Sequence, residues 1–208
     1  MISQKPVIGL VGGIGSGKTL AAKILAELGA VSIIADELVR EAYAAVEVRA
    51  AIRSLWGDQV FLPDGSVDRP GLAERVFASR SDLRRLEMVI HPWVARRRAQ
   101  LTAALAQRPG VKAFVVDAPL LFEAHLDGEC DFIVFVDCRP EIRAKRLLAE
   151  RGWGAAEIAR REAWQLPVDF KRDRADYIVE NNSDADTLVR EIKKVFTRIQ
   201  SRTHTQDR

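Results

Sequence analysis

The sequence predicts a three-layer α/β fold, in which a parallel five-stranded sheet lies between helices and carries an inserted helical subdomain and a helical lid. Three observations predict it. First, apolar runs recur at 7–11, 31–34, 113–116, 132–136 and 177–179, and they are continuous rather than alternating. Strands that read this way are buried on both faces, as in parallel sheets. Second, segments of helical period separate these runs, which is how parallel neighbours are connected. Third, the first run leads into Gly12-Gly13-Ile14-Gly15-Ser16-Gly17-Lys18-Thr19, which satisfies the phosphate-loop pattern G-x-x-x-x-G-K-[ST] in the strand–loop–helix setting that the pattern requires.

Each residue of that loop suits a phosphate. Glycines let the backbone turn sharply and bring bare N–H groups up to anionic oxygens. The helix opening near Gly17 directs its positive end at the same anion. Lys18 supplies a mobile charge for the outer phosphates, and the Thr19 hydroxyl is suited to ligate Mg²⁺. After the loop, Ala21, Ile24, Leu25 and Leu28 fall at i, i+3, i+4 and i+7 on one helical face, and Gly29 stands where a helix C-cap belongs. The stretch predicts a nucleoside triphosphate site.

Aspartates follow three of the strands: Asp36, Asp117 and Asp137. Ligands of open α/β sheets gather at that carboxyl end. Asp137, followed by Cys138, Arg139 and Pro140, reads instead as a helix N-cap. The stretch 37–110 is too long for one crossover and reads as the inserted helical subdomain. Val48, Ile52, Leu55 and Trp56 share a face, and Gly57 ends that helix. Residues 61–65 form a turn. Asp68 caps a helix bearing Leu72, Val76 and Phe77. Ser81-Asp82 opens another through Leu83, Leu86 and Ile90, which His91-Pro92 interrupts. A further helix carries Val94, Leu101 and Leu105, with Arg96, Arg97 and Arg98 together on its solvated side. An insertion beside a nucleotide site is where a second substrate is gripped.

The stretch 140–174 is the most basic. Arg139, Arg143 and Arg146 recur at i, i+4 and i+7, and Gly152-Trp153-Gly154 breaks the helix before the chain resumes. An arginine-bearing helical hairpin of this kind reads as a lid, which brings positive charge onto a transferring phosphoryl group and excludes water. Leu188, Ile192, Val195 and Phe196 make a C-terminal helix, and 201–208 read as a frayed polar tail. The nucleotide-binding core is thus expected over 1–36, 111–139 and 175–200.

Composition narrows the class. With 208 residues, 48% of them hydrophobic and 29% charged, the chain resembles an ordinary globular protein with one sizeable core. A net charge of +3 suits anionic ligands and is too small to imply nucleic acid. Cys130 and Cys138 are eight apart without a metal-ligand pattern and read as free thiols of a reducing cytosol. No run is long and apolar enough for a membrane span, and no signal peptide precedes the first strand, so a cytoplasmic protein is expected.

From Val7 to about Ile192 the sequence resembles the dephospho-coenzyme A kinases, P-loop kinases that complete coenzyme A synthesis. The resemblance rests on the spelling Gly12-Gly13-Ile14-Gly15-Ser16-Gly17-Lys18, on Ala35-Asp36, Asp68-Arg69 and His91-Pro92, and on Asp117-Ala118-Pro119-Leu120-Leu121-Phe122-Glu123. It extends through Arg146 with Arg151, Gln165, and Ala175-Asp176-Tyr177-Ile178-Val179-Glu180-Asn181. It implies ATP and Mg²⁺ as cofactors and dephospho-coenzyme A as acceptor. Asp36 matches the general base on the ribose 3′-hydroxyl, Lys18 the loop lysine, and Arg146 the lid arginine that meets the transferred group. Gly13 to Thr19 and Asn181 are then expected at the nucleotide, His91, Arg69, Asp117 and Leu120 on the acceptor side, and Thr19 with Asp117 at the metal. Two positions depart from the family pattern: Ile34 stands where an aspartate is common, and Arg143 where glutamine is common.

Two other functions fit parts of the pattern. A nucleoside or nucleotide kinase of the same fold would share the loop and differ in its acceptor. A non-catalytic nucleotide switch would need a guanine-specifying Asn-Lys-x-Asp and an Asp-x-x-Gly, and Asp117-Ala118-Pro119-Leu120 does not supply the latter.

Overall fold

The structure, a computed structural model, describes residues 5–118, 120–124 and 126–206, with the side chains of 204–206 left aside. Pro119 of the Asp117–Glu123 motif and the last two residues of the expected tail lie outside the described residues.

One sheet contains β1 (Val7–Val11), β2 (Ala30–Ile34), β3 (Ala113–Asp117), β4 (Phe132–Asp137) and β5 (Tyr177–Glu180), in the order β2-β3-β1-β4-β5. β1 runs parallel to β3, with Ile8 opposite Val115, and parallel to β4, with Leu10 opposite Val134; β4 pairs in the same sense with β5. The apolar runs of the sequence are these strands, the last four each one residue longer. β2 and β3 lie on one side of β1, and β4 and β5 on the other. The carboxyl end of β1 is therefore a topological switch point, where open α/β sheets bind their ligands.

One face of the sheet is covered by α1 (Lys18–Glu27) and α9 (Ala185–Gln206). Ile24, Leu25, Leu188, Ile192, Val195 and Ile199 pack there with Ile8, Leu10, Val115, Val134 and Val136. Each such side chain contributes about 1.5–3 kcal/mol by leaving water, so this layer is a main source of stability. On the opposite face Phe114, Val116, Ile133 and Phe135 are also buried, as continuous apolar strands require.

The chain divides into two units, one of residues 34–104 and one of the remainder. The first holds α2 (Ala35–Ala44), α3 (Val46–Trp56), α4 (Arg69–Phe77) and nearly all of α5 (Arg80–Ala106). Its buried side chains include Leu38, Ala42, Val48, Ile52, Trp56, Leu72 and Val76. The Asp68 side chain caps α4 as expected, accepting the Gly71 N–H at 3.2 Å.

The helical details differ from the sequence reading at four places. Val48, Ile52 and Trp56 form one ridge at spacing four, and Leu55 beside it is exposed, as is Phe77 at the end of α4. α5 is a single helix through Pro92. The proline removes one N–H bond, but Leu86, Ile90, Val94 and Arg98 continue one buried ridge across it, and that packing outweighs the local loss. Arg98 lies on this ridge and is buried; three successive helical residues span about 200° and cannot all face solvent. Finally, α9 continues through Gln206, its late turns holding Arg202 Nη1 at 3.2 Å from the Tyr177 hydroxyl, where a frayed tail was expected. Among the described residues, no helix is long and apolar enough to cross a membrane.

Candidate active site

The loop between β1 and α1 has the geometry of an anion cradle. Gly15 and Gly17 adopt left-handed conformations, with φ of 76° and 97°. A Cβ on Gly17 would also collide with the Asn181 side-chain amide, so only glycine serves there. The Ser16 N–H donates to the Gly13 carbonyl at 3.1 Å, closing the turn. The Ser16 hydroxyl is buried and has no hydrogen-bond partner among the described residues. A buried orphan hydroxyl inside a loop of this shape fits a phosphate oxygen that it can serve as donor.

Lys18 opens α1 and folds over the loop. Its ammonium donates to the Gly12 carbonyl at 2.9 Å and the Gly13 carbonyl at 3.1 Å. Burial lowers its pKa from 10.5 to about 8; the charges of Lys171, Arg143 and Arg151 push the same way, and Asp117 opposes them. Thr19 follows on the exposed side of the first turn.

Two elements hold the loop from outside. Asn181, just after β5 and buried, donates through Nδ2 to the Ser16 carbonyl at 2.8 Å. Asn181 is in turn held by Arg146 of α6 (Pro140–Arg151), whose Nη2 lies 3.2 Å from the Asn181 carbonyl and 3.4 Å from its Oδ1. The structure thus brings Arg146, Asn181 and the loop together, and the direct partner of Asn181 is loop backbone. The second element is Arg143, one turn earlier on α6, which donates to the Ile14 carbonyl at 3.1 Å and pairs with Glu162 of α7 (Ala155–Glu162) at 2.5 Å.

A third arrangement was missed in the sequence. Lys171 of α8 (Val168–Asp173) is buried and pairs with Glu123 at 2.9 Å, while donating to the Gln165 side chain at 3.1 Å. Glu123 also accepts the Leu166 N–H at 2.6 Å. Burial alone would raise the Glu123 pKa, but the Leu166 N–H and Lys171 outweigh it and hold the carboxyl below its ordinary value. Glu123 and Gln165 were legible as motif residues; nothing in the spacing linked them to Lys171.

Asp117 ends β3 and lies close enough to Lys18 to favour its charged form. Leu120 is exposed in the turn that follows. Asp137 is not a helix cap. β4 extends through it, so the residue before Pro140 is Arg139, which takes the N-cap position without a side-chain bond. The Asp137 carboxylate instead faces Arg172 at 3.5 Å, and its carbonyl accepts the Asn181 N–H at 2.7 Å.

The remaining expected residues belong to the 34–104 unit. Asp36 is the second residue of α2, directly beyond β2, and is exposed. Arg69 opens α4, exposed, with its guanidinium 5.2 Å from the Tyr43 ring centre. His91 lies exposed on α5. In the same unit Arg97 pairs with Glu41 at 2.8 Å, and the Trp93 indole donates to Glu47 at 2.9 Å.

Among the described residues, no three His, Cys, Asp or Glu side chains cluster as a metal cage. Thr19 and Asp117, the residues expected at the metal, offer a hydroxyl and a carboxylate, which are hard oxygen donors of the kind Mg²⁺ takes when phosphates and waters supply the rest.

With this geometry in view, likeness to known proteins is specific. The family model described as Dephospho-CoA kinase matches residues 6–187. A dephospho-CoA kinase of Geobacter sulfurreducens is 37% identical over 195 residues, covering 92% of this chain and 98% of its own. One of Anaeromyxobacter dehalogenans is 42% identical over 186 residues, with 88% of this chain and 86% of its own covered. The crystal structure of TT1252 from Thermus thermophilus superposes with a TM-score of 0.75 at 31% identity, covering 94% of this chain and 98% of that one. The chain belongs to the dephospho-CoA kinase family.

Proposed function

We propose that this chain transfers the γ-phosphoryl group of ATP to the ribose 3′-hydroxyl of dephospho-coenzyme A, giving coenzyme A and ADP in the last step of coenzyme A synthesis. The observation that carries this reading is a phosphate loop, fixed from outside by Asn181 and Arg143, at the switch point of a chain belonging to that family.

The reaction is an in-line displacement at phosphorus, for which positioning and neutralisation of charge do most of the work. The loop N–H groups and Lys18 hold the phosphates, and the Ser16 hydroxyl donates within the cradle. Arg146 meets the transferred group from α6. Asp36 orients the acceptor hydroxyl and takes its proton, so that the oxygen attacks as the bond to the ADP oxygen breaks. Thr19 and Asp117 would hold Mg²⁺, which supplies neutralisation of the phosphate oxygens when bound. Arg69, His91, Asp117 and Leu120 serve the acceptor side. Residues 37–110 form the acceptor-binding part, and 140–174 the lid that excludes water. Cys130 and Cys138, neither of them in a disulfide, favour a reducing cytosol as its compartment.

The test is ADP release from the purified chain with Mg-ATP in the presence of dephospho-coenzyme A, AMP, adenosine or no acceptor. Release stimulated by dephospho-coenzyme A, with coenzyme A identified by mass, is the expected result. Stimulation by AMP or adenosine alone would replace the acceptor assignment while keeping the nucleotide site.

A further inference from the structure

Arg143 has no role in the reaction as described, yet it is a buried arginine laid against the phosphate loop. Its position is constrained on three sides. The guanidinium lies so close over Gly13 that a Cβ there would stand 2.6 Å from Nη1 and 2.9 Å from Cζ. Nη1, with two hydrogens to give, serves both the Ile14 carbonyl at 3.1 Å and the Glu162 carboxylate at 2.5 Å. The side chain is only 11% exposed, so water competes little for these bonds.

The consequence lies in the peptide unit between Ile14 and Gly15. In a trans amide the C=O and the following N–H point in opposite directions. No cis peptide occurs among the described residues. A carbonyl of Ile14 bound outward to Arg143 therefore turns the Gly15 N–H away from Arg143. Asn181 acts likewise on the next unit but one, binding the Ser16 carbonyl and so turning the Gly17 N–H. Two N–H groups of the cradle are thus oriented by side chains gripping the carbonyls behind them.

We propose that Arg143 is a positioning residue for the nucleotide phosphates: by holding the Ile14 carbonyl outward it fixes the Gly15 N–H as a donor, with Glu162 keeping the guanidinium in place. The proposal rests on the phosphate-binding part of the function given above and not on the identity of the acceptor. It also gives a physical role to an arginine at a position where the resemblance leads one to expect glutamine. A donor fixed before binding serves substrate, transition state and product phosphates alike, so its loss raises KM and leaves turnover of the bound complex nearly unchanged.

The experiment compares Arg143→Met and Arg143→Lys with the unaltered chain, using ADP binding by calorimetry and steady-state kinetics at varied ATP. A hydrogen bond to a charged group is lost in effect, so the Met variant is expected to bind ADP about 10- to 100-fold more weakly. KM for ATP should rise in parallel, with kcat within about threefold, and Lys, which keeps one charged donor, should restore part of the affinity. A merely structural role would lower thermal stability and the active fraction while leaving KM unchanged. Met-variant affinity and KM equal to those of the unaltered chain would overturn the proposal. Equal affinities for Met and Lys, both weakened, would overturn the hydrogen-bond account. A chain that binds ADP with this pattern yet makes no coenzyme A would sink the acceptor assignment alone.

Discussion

Asp36 and Lys18 make separable demands on the chemistry, and each can be tested on one side chain. Asp36 stands exposed in the first turn of α2, without a side-chain partner for folding among the described residues. Asp36→Asn should therefore leave the fold and ADP affinity intact while lowering kcat at least about 100-fold, the usual worth of a general base. Near-normal turnover would remove the base from the mechanism. Lys18 titrates near pH 8 in the free chain because burial and the neighbouring cations disfavour its charge. Phosphate favours the ammonium, so ADP binding must draw a proton onto Lys18 once the pH passes about 8. The binding enthalpy should then depend on the ionisation enthalpy of the buffer, increasingly so between pH 7 and 9, and affinity should fall across the same range. Buffer-independent heats at pH 9 would show that Lys18 is charged before binding. The linkage to folding has the opposite sense. Between about 8 and 10.5 the unfolded chain binds more protons at this residue than the folded one, so its contribution to stability rises with pH over that window.

At the scale of elements, the pair between Glu123 and Lys171 fastens α8 and the α7–α8 connection to the segment after β3. Both charges are largely out of water, with side-chain exposures of 17% and 3%. Removing one partner strands the other, which for buried pairs costs about 3–5 kcal/mol. Lys171→Met should lower the free energy of urea unfolding by about that much, and adding Glu123→Gln should recover a large part of it, since Gln still accepts the Leu166 N–H. A double variant no more stable than the single one would mean that Lys171 acts through packing instead. This pair also marks what the sequence does and does not reveal. Strands and the phosphate loop are local patterns, continuous apolar runs and a fixed spacing of glycines, and they were legible one by one. Arg143, Arg98 and Lys171 are charged residues whose burial depends on partners as far as 129 positions away or on a ridge of neighbouring turns, which no local pattern records. Pro92 misled for a related reason: its local cost is real, but the ridge running from Leu86 to Arg98 decides the helix. The resemblance leads one to expect Asn181 at the nucleotide; that it grips the loop's backbone is visible only in three dimensions.

For the whole molecule, the division of the chain into residues 34–104 and the remainder assigns Asp36, Arg69 and His91 of the proposed acceptor side to one unit, and the phosphate loop, with Asp117 and Leu120, to the other. The phosphate loop, Arg143, Arg146 and Asn181 all belong to the larger unit, whereas Asp36, Arg69 and His91 belong to the smaller. Anything that binds the folded state stabilises it by mass action, about 2.7 kcal/mol when the ligand is at 100 times its dissociation constant. For a chain of this size that corresponds to a rise in Tm of about 5–10 °C. Global melting does not say where the ligand sits; amide hydrogen exchange does, because local openings respond first to the ligand that touches them. ADP is expected to slow exchange in the loop, the first turns of α1 and the residues after β5. Dephospho-coenzyme A is expected to slow it within α2, α4 and α5 in addition. Protection of 34–104 by ADP alone would place nucleotide contacts in the smaller unit and undo the assignment of that unit to the acceptor. Protection by the acceptor confined to the larger unit would undo it from the other direction, leaving Asp36 as the only part of the smaller unit with a claim on the reaction.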